Sequence, residues 1–162
     1  MKKFTLLLLL FAGSFSTIRA EENPSNYASD SFAYATLGGI APIFMFPIAG
    51  LGFRAQSGHN GFDIGVQGTG IGNFYLLKAN ATYLFYPKPN LQKQFYYGIG
   101  AGVEQLKKEK TLFSPEFVVG KQFTSDTGGK RFFEAQVTPY VVNKRGRGEF
   151  VPGVIIRYGI GF

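Results

Sequence analysis

Between Phe95 and Glu104 the chain alternates without a break. Phe95, Tyr97, Ile99, Ala101 and Val103 share one parity, and Tyr96, Gly98, Gly100, Gly102 and Glu104 the other. A period of two belongs to a β-strand, whose successive side chains leave opposite faces of a sheet. The pattern recurs along the chain. Tyr75, Leu77, Ala79, Ala81 and Tyr83 oppose Lys78, Asn80 and Thr82; Phe133, Ala135, Val137 and Val141 oppose Glu134, Gln136 and Thr138. Phe62, Ile64 and Val66 oppose Asp63, Gly65 and Gln67, and Leu51, Phe53 and Ala55 oppose Gly52, Arg54 and Gln56. Eight strands are predicted, over residues 31–40, 48–56, 61–71, 74–86, 94–106, 111–123, 130–142 and 150–162. Turn-forming residues separate them, among them Ser57-Gly58-His59-Asn60-Gly61 and Pro87-Lys88-Pro89-Asn90. The link Gly70-Ile71-Gly72-Asn73 fits either a turn or a kink within one long strand.

A sheet with one greasy and one polar face can close in two ways. A soluble barrel turns the greasy face inward; a barrel in lipid turns it outward around a polar interior. The polar face is rich in glycine, which a narrow eight-stranded lumen needs beside its large side chains. Aromatic residues gather toward strand ends, as two interfacial girdles would: Phe53, Tyr83, Phe95, Phe123 and Phe133 at one rim, Phe44, Phe46, Tyr75, Phe113 and Tyr140 at the other. With the N-terminus on the periplasmic side, Pro42, Pro47, Pro115, Pro139 and Pro152 all fall near the outer rim. Proline donates nothing to a ladder and belongs at such places. The expected fold is all-β, an eight-stranded antiparallel up-and-down transmembrane barrel.

The last ten residues, Gly153-Val154-Ile155-Ile156-Arg157-Tyr158-Gly159-Ile160-Gly161-Phe162, place apolar side chains at Val154, Ile156, Tyr158, Ile160 and Phe162. In this ending and in its strand pattern the chain resembles the small eight-stranded outer-membrane proteins of Gram-negative bacteria, of the A, X and W types. The resemblance implies that the final strand is the signal read by the barrel-assembly machinery. It also implies an outer-membrane location and a structural or surface role. The length leaves no room for the peptidoglycan-binding domain that some of these proteins carry.

Composition supports this reading. Of 162 residues 22 are Gly, 18 Phe and 9 Tyr, which is poor helix material and good strand material. There is no cysteine, hence no disulfide framework and no thiolate metal site. Residues 1–20 read as a cleaved signal peptide: Lys2 and Lys3, an apolar run from Leu6 to Phe11, and a small-residue exit ending at Ala20. Residues 21–30 read as a flexible tail and 31–162 as the barrel. Without the leader's Lys2, Lys3 and Arg19, 14 basic face 10 acidic side chains. That excess is too small to suggest a nucleic-acid partner.

The polar parity carries the candidate chemistry. Arg54, Lys78 and Arg157 meet Asp63, Glu104, Glu116 and Glu134 in the predicted lumen, where buried charges must pair. The expected result is a salt-bridge network that fills the interior; the alternative is a small gated pore worked by exchange of partners. Basic connections, Lys107, Lys108 and Lys110 in one and Lys144, Arg145 and Arg147 in another, are placed on the outer side, within reach of lipopolysaccharide phosphates. His59, the single histidine, follows Ser57 in a tight turn, a weak signal for a lipid-modifying hydrolase and an ordinary one for an exposed turn. Glycine-rich Gly68–Gly72 and Gly98–Gly102 precede no helix and read as strand. No metal, cofactor or catalytic group is expected, and a monomer is favoured. A soluble lipocalin-like barrel with an apolar ligand is the remaining alternative.

Overall fold

The computed structural model describes residues 29–41, 47–71, 74–89, 92–106, 111–144 and 147–162. Eight strands, β1 (Ser29–Ala41), β2 (Pro47–Ser57), β3 (Asn60–Ile71), β4 (Phe74–Phe85), β5 (Lys93–Leu106), β6 (Thr111–Thr124), β7 (Lys130–Lys144) and β8 (Arg147–Gly161), form one closed antiparallel barrel. Each strand pairs with the next, and β8 closes on β1 from Tyr34↔Gly161 to Ala41↔Val154. Closure removes both sheet edges, which lipid cannot satisfy with hydrogen bonds. We call the rim that carries Ser29 and Phe162 the lower rim.

One long strand through Ile71 is ruled out, because Ile71 ends β3 and pairs with Phe74 of β4. Most other strand limits shift outward, while β4 ends at Phe85 and β8 at Gly161, one residue earlier than expected. The first strand begins at Ser29 rather than Ser31, and the last hairpin stays paired as far as Lys144↔Arg147. Ladder bonds join backbone groups, so polar and charged Asn143 and Lys144 still pair with Gly148 and Arg147. Between β2 and β3 the chain turns in two residues, with Gly58 at φ 57°, a backbone that L side chains rarely adopt. Residues 1–28 and Pro42 lie outside the described residues, as do Phe44 and Phe46.

The faces are those of a barrel in lipid. Leu37, Leu51, Val66, Ile99, Phe113, Phe117 and Phe133 are exposed on the outside, Phe113 by 75%. Inside, Arg54, Lys78, Glu116, Glu134 and Gln136 are fully buried. An inward apolar face, as a lipocalin-like barrel requires, is the reverse of this arrangement. A concavity of about 880 Å³ lies on the outer face, over Ala79, Ala81 and Ala101.

The lumen is not wholly polar. Three buried apolar groups share it: Leu84, Tyr86, Tyr96 and Val118; Phe32, Tyr34 and Phe132; and Ile48, Leu76 and Ile155. The lumen glycines make room for its rings. Tyr34 pairs with Gly52, Tyr96 with Gly120 and Phe132 with Gly159 across neighbouring strands. A Cβ on any of these three glycines would collide with the paired ring. Large inward residues therefore face the smallest ones, as a narrow barrel demands.

Candidate functional site

The seven charged residues expected inside come from seven strands, β2 to β8, and all seven are buried in the lumen. They form two clusters of direct ion pairs rather than one network. The lower cluster holds Arg54, Asp63, Glu134 and Arg157. Arg54 donates from Nε to Asp63 Oδ2 at 2.7 Å and from Nη2 to Glu134 Oε2 at 2.8 Å. Arg157 meets Glu134 Oε1 through Nε at 2.6 Å and Nη2 at 2.5 Å, and its Nη2 stands 3.6 Å from Asp63 Oδ1. Tyr34 donates to Asp63 at 2.8 Å and Tyr96 to Glu134 at 2.7 Å.

The register explains the convergence. Arg54 and Asp63 are direct partners on β2 and β3, as are Glu134 and Arg157 on β7 and β8. The two pairs meet across the lumen, since Arg54 and Glu134 are 80 residues apart in sequence. Rings wall the site. Arg54 Cζ lies 4.3 Å from the Phe132 ring centre and 4.7 Å from that of Tyr96, and Tyr34 meets Phe132 edge-on at 5.0 Å. Arg54 Nη1 has no hydrogen-bond acceptor among the described residues, and cation–π contact is what the guanidinium has instead.

The upper cluster is built differently. Lys78 Nζ reaches Glu104 Oε1 at 2.9 Å, Glu116 Oε2 at 3.1 Å and Thr138 Oγ1 at 3.0 Å. Asn80, Thr82 and Gln136 all donate to Glu116, Asn80 at 3.0 Å, and Ser114 donates to Glu104 at 2.9 Å. Gln67 donates to Gln136 at 2.9 Å, so neutral amides and hydroxyls surround this cluster. The seven charges were legible from strand parity. Tyr34, Tyr96 and Phe132, which enclose Arg54, were not singled out. Their signal was parity too: Tyr96 alternates with glycines, and Phe132 precedes Phe133 on the opposite face.

Other candidate residues are scattered. Val154, Ile156, Tyr158 and Ile160 share the outward face of β8, and Phe162, just past its end, is 77% exposed with its backbone N–H donating to Ala33 O at 2.9 Å. Lys107, Lys108, Lys110 and Arg145 lie outside the described residues. Lys144 and Arg147 are backbone partners at the upper end of the β7–β8 hairpin rather than loop residues. His59 sits half-buried in the β2–β3 turn, its Nδ1 2.7 Å from Tyr86 O and its ring stacked on Phe85 at 5.8 Å.

The sequence matches no protein-family model and no curated protein. Solved structures do match the fold. Neisserial surface protein A is similar over 83% of this chain and 97% of its own, with 11% identity and a TM-score of 0.50. The outer-membrane enzyme PagL is similar over 82% of this chain and 100% of its own, with 12% identity and a TM-score of 0.51. With its apolar outside, its polar inside and these likenesses, the chain has the fold of the small eight-stranded outer-membrane barrels.

Proposed function

We propose that this protein is a bacterial outer-membrane barrel with a structural or surface-interaction role, a filled lumen and no reaction of its own. The observation that supports it is the packing of the interior, where seven charged side chains are buried in two ion-paired clusters, the lower one walled by aromatic rings. Its partners on this reading are outer-membrane lipids, including lipopolysaccharide, and the assembly machinery that engages Val154, Ile156, Tyr158, Ile160 and Phe162. It acts as a monomer. In the test, the chain is produced with its leader and outer membranes are compared boiled and unboiled. A band that shifts on heating identifies the folded barrel, and purified protein then stays silent in planar-bilayer recordings. A single unshifted band in the soluble periplasm would overturn the location.

A gated pore is the second reading, favoured by one contact. Arg157 Nη2 lies within 3.6 Å of Asp63 while bound to Glu134, so two acids compete for it. Steady conductance that changes in Glu134→Gln or Arg157→Gln would replace the closed-lumen reading. A lipid-modifying activity would centre on His59, and altered lipid mass in producing cells, lost in His59→Ala, would establish it.

A further inference from the structure

Charge is divided unevenly between the two faces of this barrel. Of the acids whose side chains are described, Asp63, Glu104, Glu116 and Glu134 are buried inside. At the lower rim Asp30 pairs with Lys130, and Asp126 of the β6–β7 turn accepts from Gln92 at 3.2 Å. The outer face near this rim carries cations on one side only. Lys93 of β5, Lys121 of β6 and Arg131 of β7 are exposed and share the outward parity of Phe95, Phe123 and Phe133. None of the three pairs with a carboxylate among the described residues. The outward positions of β1 to β4 carry no Lys or Arg in their described stretches.

The register gathers the three around one ring. Phe123 is flanked by Lys93 on one neighbouring strand and Arg131 on the other. Lys121 lies two residues along β6, between Phe95 and Phe133, with its Nζ 5.6 Å from the Phe123 ring centre. Strand spacing puts the Lys93 and Arg131 backbones about 10 Å apart, with Lys121 about 7 Å along the strand, within the reach of long side chains for one headgroup. These cations are on the face that continues into the apolar band, at the aromatic level. There a flexible cationic side chain lays its stem along lipid and its charge among phosphates.

We propose that the outward face of β5–β7 at the lower rim binds the headgroup phosphate of an anionic phospholipid, through Lys93, Lys121 and Arg131 around Phe123. The site rests on the reading that this outer face lies in a bilayer. Charge complementarity selects the occupant: three cations without a carboxylate partner among the described residues, beside rings that an acyl chain covers. Neutral phosphatidylcholine brings its own cation and offers no such match.

The test uses the folded barrel in nanodiscs of phosphatidylcholine holding a minor fraction of phosphatidylglycerol, with lipids retained on release counted by native mass spectrometry. The wild-type barrel should retain phosphatidylglycerol above its bulk share, and Lys93→Gln/Lys121→Gln/Arg131→Gln should fall to that share, by about fivefold per cation. A control, Lys107→Gln/Lys108→Gln/Lys110→Gln, removes equal charge from the segment that follows β5 in the chain and should keep the enrichment. No wild-type enrichment, or equal loss in both triple variants, overturns the site. If the rim triple variant does not fold, Lys121→Gln alone carries the test, with a fivefold drop expected and an unchanged ratio overturning it. Heat-shifted mobility checks folding separately, and failure of the wild-type chain to enter nanodiscs would overturn the membrane reading itself.

Discussion

In the lower cluster two arginines face two carboxylates between aromatic rings; in the upper, one lysine lies between two carboxylates among amides and hydroxyls. The contrast follows from what each cation does. Guanidinium is planar, takes carboxylates in a fork, stacks on rings and does not lose its proton. Glu134 bonds both arginines, and Tyr34 and Tyr96 complete the carboxylates, so the lower cluster is rigid and every acid in it is needed. Around Glu116 three neutral donors remain if the lysine goes. A carboxylate left without its cation can also take up a proton, an escape that arginine lacks.

The largest break is therefore Glu134→Ala, which strands two buried arginines and lowers stability by about 3–5 kcal/mol. Urea unfolding in lipid vesicles measures it, and a loss equal to that of Lys78→Met would erase the contrast. Next comes Gly159→Val, which drives side-chain carbon into the Phe132 ring and loosens the wall around Arg54 at a cost of about 3 kcal/mol. Lys78→Met costs less, about 2 kcal/mol near neutral pH. Urea unfolding of both variants in the same vesicles separates the two. The smallest effect is that of His59→Ala, which removes one hydrogen bond to Tyr86 and one stacking contact, about 1 kcal/mol or less, with lipid mass in producing cells unchanged.

Alternation was enough to place the strands because one step along a strand reverses the face. Arg54, Asp63, Lys78, Glu104, Glu116, Glu134 and Arg157 all sit on the parity opposite the greasy residues, so their common interior could be read from the chain. The limits of the last hairpin could not, since Asn143 to Gly148 reads as loop while the backbones of Asn143 and Lys144 still pair with those of Gly148 and Arg147.

What the sequence determined by itself is the strand rhythm, the outward apolar face and the set of charges turned away from it, all consequences of a two-residue repeat. Tertiary structure alone decided which charge meets which. Arg54 finds Glu134 across 80 residues only because closure of β8 on β1 sets the stagger of the whole barrel. The same stagger divides seven charges into two clusters and puts Phe132 and Tyr96 against Arg54. It also gathers Lys93, Lys121 and Arg131 around Phe123. A period fixes a face, but contact across a lumen depends on register summed over every strand between.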